Sequence, residues 1–169
     1  MSAIMLSDAS LKKIDREIGK YPAGQKQSAV MAALGIAQDE MGWLSSETID
    51  AVAACLGMTP IAVYEVATFY HMYHLAPIGR HKITVCTNLP CALSGGNAAA
   101  RQLQQKLGIR FGQTTADGAF RLEEGECMGA CGDAPVMIVD NKKMCSFMDE
   151  SRINTLLDTL AADAAKPAR

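Results

Sequence analysis

The run Lys82-Ile-Thr-Val-Cys-Thr-Asn-Leu-Pro-Cys91 contains a predicted β-strand that leads directly into a pair of cysteines. Its first six residues are rich in β-branched side chains, which favour strands. Cys86 and Cys91 form a C-x4-C pair, and Cys127 and Cys131 form a C-x3-C pair further along the chain. The second pair also follows a region with the pattern of a strand. If the two strands are neighbours, their ends bring four sulfur atoms to one place.

The rest of the second half alternates between helical and strand patterns. After the strand at 82–87, Ser94-Gly-Gly96 is typical of a capped helix start, and the helix runs from Ala98 to Leu107, where Gly108 ends it. Further strands are predicted at 120–122, 136–139 and 144–148, with a turn at 140–141 and a last helix at about 149–162. This order predicts a small α/β sheet with helices packed on it.

The first half has helical periodicity from Leu11 to about Tyr73. Residue types at the ends of these segments agree: Gly42 and Gly57 end helices, Ser45 or Ser46 caps one, and Thr59-Pro60 begins another. The run Ala76-Pro-Ile-Gly79 then interrupts the helical spacing. We therefore predict an N-terminal helical bundle over residues 1–76 and an α/β domain over residues 77–169.

Composition restricts the classes of partner and compartment. The chain has 169 residues, 16 of them basic and 18 acidic, and its net charge of −2 gives no field that attracts nucleic acid or an anionic membrane. No run of eighteen apolar residues and no leader-like start is present, so we expect a cytoplasmic chain without membrane insertion. Its six cysteines then favour metal binding or redox chemistry over structural disulfides.

Four thiolates are the ligands of both iron-sulfur clusters and structural zinc, and the spacing of the pairs does not decide between them. Gly125, Gly129 and Gly132 surround the second pair, and backbone N–H groups in such loops can approach the sulfurs of an anionic cluster. A zinc clip remains open as a structural alternative. A dithiol oxidoreductase is disfavoured, because neither pair has the C-x-x-C spacing.

Four acidic residues crowd the second pair: Glu123, Glu124, Glu126 and Asp133. A nearby negative charge makes reduction of a cluster harder, so one hypothesis is that they lower its reduction potential. The alternative is that they are solvated loop charges without influence.

Four other residues with metal-binding side chains are expected to lie outside the site. Cys55 and Cys145 stand alone in apolar segments, where a free cysteine behaves as a small buried hydrophobe. His71 and His74 form an H-x-x-H pair that could bind metal from one helix face, but the aromatic run Phe69–Tyr73 around them favours packing. The aromatic residues of that run are expected to be mostly core. No nucleotide-binding or flavin-binding pattern is visible in the sequence.

Several motifs together resemble one family. Cys86-Thr-Asn-Leu-Pro-Cys91, Glu126-Cys-Met-Gly-Ala-Cys-Gly-Asp-Ala-Pro-Val136, Tyr64-Glu-Val-Ala-Thr-Phe-Tyr70 and Gly42-Trp-Leu44 are similar to the E subunits of NADH-quinone oxidoreductase, the thioredoxin-like 2Fe-2S ferredoxin subunits of respiratory complex I. The resemblance covers nearly the whole chain. It implies a thioredoxin-like fold for the second domain. It also implies one 2Fe-2S cluster on Cys86, Cys91, Cys127 and Cys131.

The resemblance also implies a partner and a place in an enzyme. The chain would transfer electrons beside a subunit that binds FMN and NADH, as a heterodimer within a larger assembly peripheral to the inner membrane. It would belong to an oxidoreductase without being catalytically competent alone. The N-terminal helices and the segment 69–76 are expected at the interface with that subunit. Related subunits occur in NAD-dependent formate dehydrogenases and NAD-reducing hydrogenases, which are the first alternative; a zinc-stabilised interaction module is the remote one.

Overall fold

The computed structural model describes residues 6–164 of the chain. The chain folds into two compact units, one ending at Pro77 and the other beginning at Ile78. Within the described residues, no single helix has the length and hydropathy needed to cross a membrane, although two consecutive helices at 46–56 and 60–69, bent by 117° at their junction, meet those criteria when counted together.

The first unit consists of helices α1 (Asp8–Ile18), α2 (Val30–Met41), α3 (Ser46–Leu56) and α4 (Pro60–Phe69), with a 3₁₀ turn at Lys26–Ala29. The predicted helix ends are confirmed. Gly42 and Gly57 take left-handed φ angles of 80° and 65°, which glycine adopts without steric cost. Ser45 caps α3 because its hydroxyl accepts a hydrogen bond from the backbone N–H of Thr48.

The core of the first unit contains large apolar side chains from all four helices, including Ile14, Leu34, Val52 and Val63, each at most 1% exposed. Tyr73 closes this core, and its hydroxyl donates a 2.8 Å hydrogen bond to the carbonyl of Met31. Burial, with a smaller contribution from Tyr70, raises the pKa of Tyr73 to about 12.

The prediction that the aromatic run is mostly core is wrong for Phe69, which is 79% exposed, and for Tyr70, which is 37% exposed. The reason is that α4 ends at Phe69, so the helical spacing used for the prediction stops there. His71 and His74 both follow that end and do not share a helix face. His71 is exposed, whereas His74 is half-buried. The backbone N–H of His74 donates to Gln38 Oε1 at 2.7 Å.

The second unit is built on a five-stranded sheet in the order β2-β3-β1-β4-β5. Its elements are β1 (His81–Cys86), α5 (Leu89–Leu93), α6 (Gly96–Leu107), β2 (Gln113–Thr114), β3 (Phe120–Gly125), a 3₁₀ turn (Cys131–Asp133), β4 (Met137–Val139), β5 (Lys143–Cys145) and α7 (Glu150–Ala164). Strands β1 and β3 are parallel, and the other pairs are antiparallel. The predicted α/β fold class is confirmed.

Every residue of β1 is buried, as expected for a central strand. Its apolar residues Ile83 and Val85 pack with Leu103 of α6, Leu122 of β3 and Ile153 of α7. The sheet and its two long helices thus share one core.

Three local features differ from the prediction. The short elements α5 and β2 were not predicted. Helix α6 begins at Gly96 after Gly95, whose left-handed φ is 95°, and no side chain caps it, so the cap predicted at Ser94 is wrong. Strand β5 ends at Cys145 because the next residues bond elsewhere: the N–H of Phe147 donates to the carbonyl of Asp133, and that of Met148 to the carbonyl of Pro135.

The start of β1 is fixed by the turn between β4 and β5. Asp140 and Asn141 have φ angles of 53° and 56°, the left-handed region that Asp and Asn tolerate, and the N–H of Lys142 donates to the carbonyl of Val139 across them at 3.0 Å. The carboxylate of Asp140 accepts hydrogen bonds from His81 Nδ1 and from the N–H of Lys82, both at 2.8 Å. His81 Nε2 lies 3.6 Å from a carboxylate oxygen of Asp163 in α7.

Candidate metal centre

The two cysteine pairs lie at the carboxyl ends of neighbouring parallel strands. Cys86 is the last residue of β1 and is opposite Gly125, the last residue of β3. Cys127 follows two residues after the end of β3, Cys91 lies in α5, and Cys131 begins the 3₁₀ turn. Because parallel strands end at the same edge of a sheet, both cysteine loops start side by side, as the sequence predicted.

The two pairs differ in burial. Cys86 and Cys91 are each 1% exposed, whereas Cys127 and Cys131 are exposed. Burial, followed by a hydrogen bond with Cys86, raises the pKa of the Cys91 thiol. A hydrogen bond with Cys127, and then the negative charge of Cys127 in its thiolate form, raise the pKa of Cys131.

The negative charge of Cys131 in its thiolate form is a further, smaller cause of the raised pKa of Cys91, and that of Cys86 is a smaller cause of the raised pKa of Cys131. Within residues 6–164, no three His, Cys, Asp or Glu side chains are placed to hold a single metal ion.

The donor set fits a binuclear iron-sulfur cluster. Such a cluster is held by four thiolates, two to each iron, and the structure has two neighbouring pairs of thiols. A backbone donor to sulfur is also present: the N–H of Gly129 donates to Cys127 Sγ at 3.4 Å. A hydrogen bond from the backbone of Val136 lowers the pKa of Cys91, against the effect of burial. The approach of loop N–H groups to the sulfurs of a bound cluster stays a prediction.

Two glycines allow the close packing of the cysteine loops. A Cβ at Gly96 would lie 2.8 Å from the carbonyl oxygen of Cys91 and 3.0 Å from that of Cys86. A Cβ at Gly125 would overlap Cγ2 of Thr84 and lie 3.2 Å from Met128. The contacts of Gly96 with Cys91 and of Gly125 with Thr84 are too short for a side chain, so the first turn of α6 can approach Cys91, and the end of β3 can approach Thr84, only as glycine.

Each of the four acidic residues near the second pair has a partner. Arg121 Nε donates to Glu123 at 2.6 Å, Thr87 Oγ1 to Glu124 at 2.6 Å, Asn88 Nδ2 to Glu126 at 3.0 Å and Ser146 Oγ to Asp133 at 3.1 Å. Only the partner of Glu123 carries a compensating charge. The sequence did not predict these four partners, because the donors lie 2 to 38 residues away from the acceptors. The sequence did offer one indication for Thr87 and Asn88: both lie between the two cysteines of the C-x4-C motif and are therefore close to the site.

The loop of the first pair also presents apolar surface. Leu89 and Leu93 lie on either side of Cys91 in α5, and their side chains are 71% and 80% exposed. Their spacing of four residues places them on one side of the helix. Large apolar side chains that are exposed next to each other are typical of surfaces that bind another protein.

The remaining cysteines belong to other elements of the fold. Cys55 is half-buried in α3 of the first unit, and Cys145 is buried in β5 opposite Met137. Burial raises the pKa of both thiols, with the charge of Asp15 adding to the effect at Cys55. Both observations agree with their interpretation as small apolar side chains.

Comparison with known proteins relates the fold and the cysteine pattern to one group of proteins. The family model for thioredoxin-like [2Fe-2S] ferredoxins matches residues 14–161. An NADH-quinone oxidoreductase E subunit of Rhizobium meliloti (strain 1021) is 42% identical over 151 residues, which cover 89% of this chain and 88% of that protein. The mitochondrial NADH dehydrogenase [ubiquinone] flavoprotein 2 of Dictyostelium discoideum is 38% identical over 148 residues, 87% of this chain and 60% of that protein.

Among solved structures, a chain of an NAD+-reducing [NiFe]-hydrogenase in the H2-reduced state superimposes with a TM-score of 0.67 over 79% of this chain. The aligned part is 22% identical and makes up 22% of the hydrogenase chain. At this identity the likeness concerns the fold alone.

Proposed function

The chain belongs to the thioredoxin-like [2Fe-2S] ferredoxin family, and on that premise we propose that it is the electron-transfer subunit of an NADH-quinone oxidoreductase. Cys86, Cys91, Cys127 and Cys131 would hold one 2Fe-2S cluster. The observation that carries the proposal is that the loops of both cysteine pairs begin at the carboxyl ends of two neighbouring parallel strands. The relatives named as E subunits of NADH-quinone oxidoreductase support the choice of complex.

A bound 2Fe-2S cluster accepts and releases one electron at a time. The residues of this chain fix where that exchange takes place. Cys86 and Cys91, which are buried, would hold the cluster from within the fold, and Cys127 and Cys131, which are exposed, would hold it at the surface. The N–H of Gly129 stabilises negative charge on the sulfur of Cys127.

We propose a partner subunit that binds FMN and NADH. A flavin accepts a hydride and releases electrons singly, which suits a one-electron acceptor placed beside it. In the second unit, Leu89 and Leu93 provide an apolar contact next to the first cysteine pair. In the first unit, Ile61 and Phe69 are 64% and 79% exposed and provide a further surface, in agreement with the interface expected at the N-terminal helices. Through such a partner the chain would be peripheral to the inner membrane on its cytoplasmic side.

A second candidate is the equivalent subunit of an NAD-reducing hydrogenase or an NAD-dependent formate dehydrogenase. The resemblance of the sequence motifs extends to such subunits, which share the cluster and the fold. The two candidates share the cluster and differ in the complex. Purification of the chain from its native host, followed by identification of the accompanying subunits, separates them.

The cluster itself is tested by anaerobic purification of the full chain, with iron, sulfide and zinc assays and low-temperature EPR before and after dithionite. We expect about two irons and two sulfides per chain, visible absorption that bleaches on reduction, and a rhombic signal from one unpaired spin. A colourless protein with stoichiometric zinc would instead establish the structural zinc module.

The partner is tested by co-expression with the candidate flavin subunit. Replacement of both exposed leucines, Leu89→Ser and Leu93→Ser, is expected to reduce co-purification while the cluster content stays the same. Met144→Ser is the matched control, since Met144 is 41% exposed and lies on β5. Undiminished association of the leucine variant would exclude α5 from the interface.

A further inference from the structure

Two hydrogen bonds connect the first cysteine loop to the end of β3 and to the loop that follows it. The register of β1 with β3 ends at Cys86 and Gly125. On the first loop, Thr87 Oγ1 donates to Glu124 Oε1 at 2.6 Å, and Asn88 Nδ2 donates to Glu126 Oε2 at 3.0 Å. We call these four residues the loop clamp.

Each member of the loop clamp is close in sequence to a cysteine. Thr87 follows Cys86 directly, and Asn88 is the N-terminal cap residue of α5, the helix that carries Cys91. Glu126 precedes Cys127 directly. The second bond of the clamp therefore joins the start of one thiol pair to the start of the other.

The loop clamp determines where the two cysteine loops lie relative to each other and contributes little to the stability of the fold. Thr87 and Asn88 are half-buried, and Glu124 and Glu126 are exposed, so water competes for these bonds and their contribution to the free energy of unfolding is small. Groups that orient metal ligands nevertheless affect metal retention strongly, because a small displacement of a ligand weakens every bond to the metal. No other side-chain hydrogen bond that the structure records between residues 86–91 and 123–131 joins the two loops.

We propose that Thr87, Asn88, Glu124 and Glu126 are positioning residues that hold the pair Cys86/Cys91 at a fixed separation from the pair Cys127/Cys131. The two carboxylates act as hydrogen-bond acceptors for this purpose, independently of their charge. This inference rests on the proposed 2Fe-2S cluster.

The test compares two double variants of the full chain with the wild type. Thr87→Val with Asn88→Ala removes both donors; valine keeps the shape of threonine, and alanine shortens the side chain at position 88. Glu124→Gln with Glu126→Gln removes both charges and keeps an acceptor oxygen at each position. The readouts are the rate of cluster loss in the presence of an iron chelator, followed by visible absorption, and the g-values of the reduced cluster by EPR. Thermal unfolding followed by circular dichroism reports whether the fold is intact.

We expect the donor-free variant to lose its cluster about tenfold faster than the wild type, the lower end of the effects seen when a group that supports a metal ligand is removed. Its g-values should shift, while its unfolding temperature stays close to that of the wild type. The variant with Gln at both positions should retain the cluster at nearly the wild-type rate.

Two results would overturn the positioning role. One is a donor-free variant with the wild-type rate and g-values. The other is equally fast loss from both double variants, which would assign the effect to the charges and not to the hydrogen bonds. A wild-type chain that holds zinc in place of iron and sulfide would refute the proposed function itself, so the two failures are distinguishable.

Discussion

The two ends of β1 differ in the polar group that each carries and in the residues that surround it. At its amino end, His81 is buried and lies between the carboxylates of Asp140 and Asp163, and the turn at Asp140 also binds the N–H of Lys82. At its carboxyl end, Cys86 is equally buried, but its neighbours are other thiols, glycines and loops held by exposed side chains. One strand of six residues thus joins two different local environments.

The difference indicates that the amino end of the strand contributes mainly to the stability of the fold, whereas the carboxyl end mainly positions the thiols. Buried, charge-assisted hydrogen bonds such as that of His81 are costly to break, because a buried polar group loses its partner. Exposed bonds such as those of the loop clamp cost little to break but determine where the thiols lie. Changes at the amino end should therefore affect unfolding, and changes at the carboxyl end should affect the cluster.

The largest expected effect is the removal of a thiol. Cys86→Ala is expected to abolish the 2Fe-2S cluster, since three remaining thiolates leave one iron with an incomplete ligand set. Iron and sulfide assays check the loss, and circular dichroism checks that the sheet still forms. Cys145→Ala is the matched control, because it removes a buried thiol of the same sheet outside the site. Loss of the cluster from the control as well would remove the distinction between the two cysteine classes.

A glycine change beside the thiols should affect both properties. Gly96→Ala places a methyl group 2.8 Å from the carbonyl oxygen of Cys91, and overpacking of this kind costs about 1–3 kcal/mol. We expect lower stability in chemical denaturation and incomplete cluster incorporation. In the same loop region, Gly132→Ala meets no atom within 4 Å and serves as the control. Equal behaviour of the two variants would show that the close approach at Gly96 has no role.

At the amino end, Asp140→Gly should destabilise the fold and leave the cluster unchanged. Glycine keeps the left-handed conformation, whereas the hydrogen bonds to His81 and Lys82 are lost, at an expected cost of about 2 kcal/mol for the buried groups left without a partner. Urea unfolding and the iron content check both parts. Asn141→Gly is the control, because it changes the other residue of the same turn that has a left-handed φ angle. A cluster lost from Asp140→Gly would contradict the separation of the two ends.

Loss of a carboxylate near the second pair should shift the potential. Asp133→Asn keeps an acceptor for the Ser146 hydroxyl and removes one negative charge two residues from Cys131. We expect the reduction potential to rise by roughly tens of millivolts, measured by EPR-monitored redox titration, since a surface charge is partly screened by water. Glu123→Gln is the comparison, because the charge of Glu123 is already paired with Arg121. Identical midpoints in all three proteins would remove the hypothesis that the acidic residues lower the potential.

The smallest effect concerns Lys82, which is buried next to His81. Burial lowers its pKa from the ordinary value of 10.5, and the negative charges of Glu123 and Asp140 offset part of this effect by raising it. The folded chain therefore binds this proton less tightly than the unfolded chain, so the free energy of unfolding should rise with pH on the approach to 10.5. Lys82→Met should flatten that part of the profile and change stability less than Asp140→Gly. An unchanged profile would show that Lys82 keeps its proton equally well in both states.

The sequence predicted those parts of the fold that depend on local chemistry. Gly42, Ser45, Gly57 and Pro60 act at helix ends where their conformational preferences apply whatever the tertiary structure. The thioredoxin-like ferredoxin family is confirmed as well. Features that depend on distant contacts were missed: β5 ends early because Phe147 bonds to Asp133, and Phe69 is exposed because α4 ends there.

For the site, the sequence predicted that the two pairs of thiols lie at one place if the two strands before them are neighbours. It did not predict the strand pairing, and the structure shows that β1 and β3 are parallel neighbours that end together. It did not predict that one pair is buried and the other exposed. Nor did it predict the loop clamp, because Thr87 and Glu124 are 37 residues apart and side-chain partners at that separation leave no periodic pattern. The assignment of the four cysteines as cluster ligands stays a prediction until iron is measured.

The helical unit contains Trp43, the only tryptophan of the 169 residues, which follows the left-handed Gly42 at the end of α2. Intrinsic fluorescence excited at the indole band therefore originates in the first unit alone. The charge-transfer colour of an iron-sulfur cluster would originate in the second. A single unfolding experiment read at both wavelengths follows the two units as separate optical signals, without any label attached to the chain.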